Sequence, residues 1–253
     1  MTTITMPKNL STDKLSFDKA RVNSMGGKVV YMKYNGQNKM VVQTPKMNAP
    51  FGISSFTADP ASAPKMSLDV SFKGMKEDPR VERFHNKMKE LDEYLIDYAV
   101  SNSVEWFGTQ KSRAVIEEFY IPIVKKSKDP IKYAPTMKFK IQSNIKNDEQ
   151  IMDVEAYDHE RNRFDLDNFS PSSKVEALIE CSSVWFVAKQ FGVSWKLVQV
   201  KVGKPEKIEG YGFLDNDDES DDENVENEEN DEDVDVLDAE EDDNVVDASD
   251  DTD

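Results

Sequence analysis

The sequence has very few of the residues from which catalytic and metal sites are most often built. Among 253 residues there is one cysteine, Cys181, and there are two histidines, His85 and His159. A single cysteine excludes an intramolecular disulfide and a thiolate metal cluster, and it suits a reducing compartment. Two histidines leave little with which to build a nucleophile–histidine pair. We therefore predict that the protein is not an enzyme and needs no cofactor.

Motifs for nucleotide binding and for membrane insertion are also absent. There is no GxGxxG and no GxxxxGK[ST], and "NSMGGK" (23–28) is too short for a phosphate loop. No stretch reaches signal-peptide or transmembrane length, so we expect an intracellular, soluble protein that does not associate with membranes. His159 lies near Asp153, Glu155 and Asp158, and these four side chains could bind a divalent cation. A charged, solvated turn is the simpler interpretation.

The net negative charge of the chain comes from its C-terminal residues. The chain has 50 acidic and 32 basic residues, a net charge of −18. Residues 215–253 hold 23 of the acidic residues and no Lys or Arg, so residues 1–214 keep 27 against 32, about +5. A long run of like charges cannot bury itself and is predicted to be disordered. A basic body with an acidic tail indicates that the body binds polyanions and the tail competes with them; a tail that only increases solubility is the alternative.

Residue patterns predict a mainly β domain with one long helix. Asp78 and Pro79 are good N-cap and first-turn residues, an apolar stripe follows, and Gly108 marks the end of the helix. The apolar parity shifts between Leu197 and Val198, as at a β-bulge. Strands are predicted at 28–34 and 39–44 as a hairpin about "NGQN", and single strands at 66–73 and 119–124. Strands at 137–143 and 151–158 are predicted to form a second hairpin about "NIKNDEQ". Two long strands at 174–189 and 193–202 are predicted to be joined by a turn at Gly192.

Five or more antiparallel strands with one helix are typical of an OB-fold-like barrel, an α+β arrangement that is mainly β. A β-sandwich or another α+β fold is the alternative. We predict a flexible N-terminal arm at 1–25, an OB-fold-like domain at 26–214, and a disordered acidic tail at 215–253.

Lysines interleaved with aromatic residues are the chemistry that the body does offer. Cations can follow phosphates, and aromatic rings can stack on unpaired bases, which is the pattern of single-strand binding. Aromatics within predicted loops are better candidates than those in strands, where most are core. The predicted DNA-binding residues are Lys46, Phe51, Lys111, Arg113, Tyr120, Lys125, Lys126, Lys128, Tyr133 and Lys138.

The order of three segments resembles the single-stranded DNA-binding protein family of short-tailed lytic phages, which has counterparts in large eukaryotic DNA viruses. The segments are "LDVSFKGMKEDPRVERFHNKMKELDEYLIDYAV", "MKFKIQSNIKNDEQIMDVEAYD" and "SSKVEALIECSSVWFVAKQFGVSWKLVQVKV", followed by the acidic tail. "VVQTPKMNAPFGISSF" is also similar to a segment of proteins from large DNA viruses of algae and protists.

This resemblance implies an OB-fold that binds single-stranded DNA in replication, recombination and repair, and it implies a homodimer. It further implies that the tail occupies the DNA groove when DNA is absent and contacts the replicative polymerase and the helicase/primase. A viral replication compartment in the nucleus or cytoplasm is the implied location. The tail departs from the family pattern, because no aromatic residue follows Phe213.

Three other functions remain open at this point. An acidic-tailed protein-binding module, such as a histone-chaperone-like or virion packaging protein, would use the tail as its binding element. An RNA-binding variant would differ by contacts to the 2′-hydroxyl. An enzyme would need a site that the sequence does not display.

Overall fold

The computed structural model describes residues 2–23, 26–57, 64–146 and 149–203. Its helices are α1 (Pro79–Ser101), α2 (Ser103–Phe107) and α3 (Arg113–Phe119). Single turns of 3-10 helix lie at Pro7–Asn9, Thr12–Lys14 and Leu166–Asn168. Its strands are β1 (Ile4–Thr5), β2 (Leu15–Phe17), β3 (Arg21–Val22), β4 (Lys28–Tyr34), β5 (Met40–Gln43), β6 (Met47–Ala49), β7 (Ile53–Phe56), β8 (Lys65–Ser71), β9 (Val124–Lys125), β10 (Thr136–Ile141), β11 (Ser143–Lys146), β12 (Glu149–Met152), β13 (Glu155–Tyr157), β14 (Ser173–Cys181), β15 (Ser183–Val187), β16 (Gln190–Val193) and β17 (Trp195–Val202).

Five of these strands close into an OB-like barrel, as the sequence predicted. The ring runs β6–β8–β10–β17–β14 and returns to β6, with β10 and β17 parallel and the other pairs antiparallel. Alternation along β10 shows how the barrel is filled, because Met137, Phe139 and Ile141 are buried inside while Lys138 is exposed. The barrel therefore has an apolar interior and a polar outer face.

The long helix begins where the sequence predicts and packs on the barrel. Asp78 caps α1 by accepting a hydrogen bond from the Arg80 backbone N–H at 2.8 Å. The ring of Phe84 on the buried stripe lies 5.9 Å from that of Phe72, which follows β8. The helix breaks at Asn102, and the short α2 ends at Gly108, whose φ of 77° suits glycine.

The predicted hairpin of residues 28–44 is wrong. The chain does turn at 35–38, but β4 pairs with β2, β3 and β15, whereas β5 pairs with β1 and β14. Met40, Val41 and Val42 of β5 are all buried. A strand buried on both faces needs neighbours that an isolated hairpin does not supply, so the two strands separate into different sheets.

The N-terminal segment, which the sequence predicted to be an arm, is packed against the domain. β1 adds a parallel strand to β5, and β2 and β3 pair with β4. Leu10 and Leu15 are buried in the core. Their irregular spacing carries no helix or strand period, which is why the sequence did not reveal the contact.

Three local predictions are corrected and one is confirmed. Residues 119–124 hold the end of α3 and an irregular segment, and only Val124 and Lys125 form a strand. The hairpin after β10 is built by β11 and β12, and the turn of the long terminal hairpin lies at Ala188, not at Gly192. The β-bulge is confirmed, since Leu178 and Ile179 pair with Gln199 and Leu197 and leave Val198 unpaired.

A buried carboxylate ties α1 to the segment after α3. Asp92 Oδ1 accepts hydrogen bonds from the Tyr120 hydroxyl at 2.6 Å and from the Ile123 backbone N–H at 3.1 Å. Burial raises the pKa of Asp92 to about 6, and these two hydrogen bonds only partly oppose the rise. Ionised Asp92 therefore costs the folded state free energy at neutral pH.

We expect Asp92→Asn to remove a pH dependence from stability. A carboxyl whose folded pKa exceeds its unfolded value destabilises the fold as pH rises from about 4 to about 6, by about 3 kcal/mol. Asparagine keeps the acceptor oxygen but cannot ionise. Urea unfolding should show the variant gaining on the wild type as pH rises from 4 to 7.

His85 adds a second pH dependence to the stability of both proteins, because burial lowers the pKa of its imidazole and its protonation destabilises the fold as pH falls. It is present in both proteins, so its effect cancels in the difference. A difference that does not change between pH 4 and 7 would show that Asp92 is not the titrating group.

Candidate nucleic-acid interface

The outer surface of β8 and β10 carries a row of cations that strand register brings together. Lys138 of β10 lies opposite Asp69 of β8, and Lys140 lies opposite Ser67. On its other edge β10 pairs with β17, which places Lys196 beside Lys140. Side chains on paired positions share one face of a sheet. We call this surface the lysine face and define it by Lys65, Ser67, Asp69, Lys125, Lys138, Lys140 and Lys196.

One carboxylate interrupts the lysine face. Asp69 is half-buried, and its burial raises the pKa of the carboxyl, while the charges of Lys138 and then Lys125 lower it. Lys196 is partly neutralised by Asp153 at 3.8 Å. Within the described ranges, Lys138 makes no salt bridge, so its charge is available to an anionic ligand.

Two exposed phenylalanines border the lysine face along the other edge of β8. Asn48 pairs with Ser71 and Ile53 with Leu68, so two extra residues bulge between β6 and β7. Phe51 stands in this bulge with 65% of its surface exposed. Gly52 permits the bulge, because its φ of 73° is a left-handed conformation.

The second phenylalanine, Phe56, is set by the register of β7. It lies opposite Lys65 of β8 and is 53% exposed. Exposed rings beside lysines offer stacking surfaces for planar groups next to positive charge. The two phenylalanines therefore place aromatic surface along the edge of a cationic strip.

A turn after β9 adds a second set of cations and apolar groups. Asp129 shapes it, because its Oδ1 accepts hydrogen bonds from the backbone N–H groups of Ile131 and Lys132, both at 3.1 Å. The turn leaves Ile131 99% exposed and Tyr133 55% exposed. The ammonium of Lys132 lies 5.2 Å from the centre of the Tyr133 ring. We call residues 126–133 the lysine loop; it also carries Lys126 and Lys128.

The structure brings six of the ten predicted residues to this region. Lys125 pairs with the first residue of β10, so the lysine loop starts at one end of the lysine face. Lys46 is exposed but lies against Gly203 at the end of β17, outside the register of the face. The six are Phe51, Lys125, Lys126, Lys128, Tyr133 and Lys138.

The three remaining predicted residues, like Lys46, lie elsewhere. Tyr120 is buried and donates to Asp92, so its ring cannot stack on a ligand. Arg113 pairs with Glu93, Asp97 and Glu117, which occupy its guanidinium. Lys111 is half-buried in the connection between α2 and α3. Their sequence neighbourhood was rich in lysine and aromatics, but it folds into the helical region and has no register with β8 or β10.

The predicted set of DNA-binding residues left out Lys65, Lys140, Lys196 and Phe56. Two of these had a signal in the sequence, because Lys140 alternates with Phe139 and Ile141 on β10 and Phe56 is an aromatic residue in a predicted loop. For Lys65 and Lys196 the decisive fact is which strand lies next to which, and local sequence does not contain it.

The chain matches the model of a family of unknown function, DUF5871, over residues 69–215, which is more than half of its length. The chain belongs to this family. A relative of this DUF5871 chain is the uncharacterized protein L291 of Acanthamoeba polyphaga mimivirus, which is 26% identical over 180 residues. The match covers 69% of the chain but only 28% of that protein, so the chain spans little more than a quarter of its relative.

Two similar solved structures are phage proteins. A single-stranded DNA-binding protein of bacteriophage Enc34, in complex with ssDNA, has a TM-score of 0.41 and 10% identity, covering 79% of this chain and all of that one. The single-stranded DNA-binding protein gp2.5 of bacteriophage T7 has a TM-score of 0.42 and 14% identity, covering 70% and 98%.

In the part of the chain that the structure describes, no helix is long and apolar enough to cross a membrane. Over the same residues, no cluster of three or more His, Cys, Asp or Glu side chains could hold a metal ion. His159 contacts Glu160 at 3.7 Å in a solvated turn.

The exposed aromatics should contribute little to stability. We expect Phe51→Ser and Phe56→Ser each to change the free energy of unfolding by no more than about 0.5 kcal/mol, because neither ring is buried. Phe139→Ala is the matched core variant and should cost about 3–5 kcal/mol. Urea unfolding measures all three. A loss above about 2 kcal/mol for Phe51→Ser would show that its ring is part of the core.

Proposed function

We propose that this protein binds single-stranded DNA with little sequence preference and is not an enzyme. The observation that carries the proposal is the lysine face, a cationic strip on the outer surface of β8 and β10 that is bordered by exposed Phe51 and Phe56. The outer face of the second and third barrel strands is where OB-folds bind oligonucleotides, and β8 and β10 hold those places in this barrel. That rule is a fold-level analogy. The lysines and the exposed aromatic rings add the groups that can bind phosphates and bases.

Exposed aromatics favour a single strand over a duplex. Bases in a duplex are stacked on each other and show only their edges in the grooves, whereas unpaired bases can lie on protein rings. Lys138 and the lysine loop supply cations beside those rings. A ligand with alternating phosphates and free base faces uses both kinds of group, and a ligand with phosphates alone would leave the aromatic rings unused.

The acidic tail at 215–253 lies outside the described residues, and its role belongs to this proposal. Its composition supports competition for the lysine face when DNA is absent. The resemblance of the segment order to the phage family supports roles in replication, recombination and repair, contacts with a replicative polymerase and helicase/primase, a homodimer, and a viral replication compartment. We assign the DNA-binding domain to residues 26–214, with residues 2–23 packed against it.

Removal of two lysines should weaken binding and flatten its salt dependence. The variant Lys126→Ala/Lys138→Ala removes one cation from the lysine loop and one from the lysine face. Each phosphate contact to a single strand contributes about 0.7 to the slope of log K against log salt, so the slope should fall by about 1.4. Fluorescence anisotropy with labelled oligo-dT over a salt series measures it.

The control variant is Lys33→Ala/Lys39→Ala, which removes two lysines paired with Asp18 and Glu180 elsewhere in the fold. It should keep the wild-type slope. If the test variant also keeps that slope, the lysine face does not bind the phosphates. Tighter binding of oligo-U than of oligo-dT would assign the face to RNA.

Deletion of the acidic tail should strengthen DNA binding. A chain ending at residue 214 lacks 23 carboxylates that compete for the lysine face, so it should bind oligo-dT more tightly than the full chain. The difference should narrow as salt screens both interactions. Anisotropy at low and high salt compares the two chains.

The second candidate, an acidic-tailed protein-binding module, makes the opposite prediction. It is favoured by the tail composition alone, because a run of carboxylates is also suited to basic protein partners. In that case the shortened chain would lose its binding to basic proteins such as histones, and neither chain would bind oligo-dT.

A further inference from the structure

We infer that Asp69 adds a preference for guanine, at one base position, to the otherwise sequence-independent binding of the lysine face. The inference rests on the proposed function and deepens it, since it concerns which bases the same surface accepts. Asp69 would accept two parallel hydrogen bonds from the N1–H and the 2-amino group of guanine. No other nucleobase presents two adjacent N–H donors on its Watson–Crick edge.

Asp69 has acceptor capacity that the protein does not use. It is half-buried on the outer face of β8 between Ser67 and Ser71, and among the described residues no hydrogen bond or salt bridge involves its carboxylate. Lys138 and Lys125 act on it only through their charge. A half-buried carboxylate without a donor has lost hydration without a replacement, and that makes it a strong acceptor for a ligand.

The position of Asp69 places this acceptor next to a stacking surface. The bulge that carries Phe51 lies between the pairs Asn48–Ser71 and Ile53–Leu68, and is therefore beside Asp69 and Val70 on the neighbouring strand. Adjacent strands are separated by about 4.8 Å. A base stacked on the exposed Phe51 ring would have the carboxylate within reach of its edge, and Lys138 would stand directly across β8 for the phosphate.

The chemistry of a carboxylate selects guanine from the four bases. Two parallel N–H···O bonds to a carboxylate form the bidentate geometry that makes such pairs strong and directional. Thymine offers one N–H between two carbonyl oxygens, which the carboxylate repels. Cytosine and adenine offer one amino group next to a ring nitrogen lone pair. In a surface where phosphates bring negative charge, a carboxylate weakens general binding, so a specific partner is the better reason for its presence.

The experiment compares three oligonucleotides on the full-length protein by anisotropy at one salt concentration. They are oligo-dT, a strand with the repeat dT-dT-dG, and the same repeat with deoxyinosine for every dG. Inosine keeps the purine ring and N1–H but lacks the 2-amino group, so it separates hydrogen bonding from stacking. We expect the guanine strand to bind about tenfold more tightly than the other two.

The variant Asp69→Asn keeps the shape of the side chain but replaces one acceptor oxygen by an NH2 donor, so it can no longer accept the two parallel hydrogen bonds. It should bind oligo-dT more tightly, because a negative charge is removed, and its ratio of guanine to inosine affinity should fall to about one. Glu180→Gln is the matched control: its carboxylate lies on β14, pairs with Lys39 at 2.8 Å, and is removed by the same change. It should keep the wild-type ratio.

The outcomes separate this inference from the proposed function. Equal wild-type binding of the guanine and inosine strands overturns the role of Asp69 and leaves single-strand binding intact. A guanine preference that survives in Asp69→Asn also overturns it, because another group must then read the base. If the wild type binds none of the three strands, the proposed function itself fails.

Discussion

The parallel pairing of β10 with β17 is the contact on which the rest of the structure depends. β10 is hydrogen-bonded on one edge to β8 and on the other to β17, and this second contact closes the barrel. Closure buries Phe139 and Trp195, which lie on paired positions, and it forces the alternate residues outward. The lysine face is therefore a consequence of the same alternation that fills the core.

The helical region supports the barrel and leaves its outer face open. α1 covers apolar barrel residues such as Phe72, and the Asp92–Tyr120 hydrogen bond holds the segment that leads into β9. That segment positions Lys125 against β10, and the lysine loop begins at this point. The Asp92–Tyr120 hydrogen bond is thus connected through the backbone to the end of the lysine face at which the lysine loop begins.

Local patterns in the sequence predicted an element well where its position does not depend on pairing with distant segments. Asp78, Pro79 and an apolar stripe predicted α1. A shift in the alternation of apolar residues predicted the bulge at Val198. Prediction was wrong where pairing depends on distant segments. β4 and β5 look like a hairpin in sequence, yet each is buried by strands more than a hundred residues away, namely β15 and β14.

The sequence by itself determined the mainly β class, the long helix, the alternation that places Lys138 opposite in direction to Phe139, and the acidic character of residues 215–253. Only the tertiary structure decided that Lys138 lies beside Asp69 and Lys140 beside Lys196, and that Tyr120 and Arg113 do not join them. The physical reason is that alternation is a local property of a strand, whereas the composition of a face depends on the order and register of strands that are far apart in the chain.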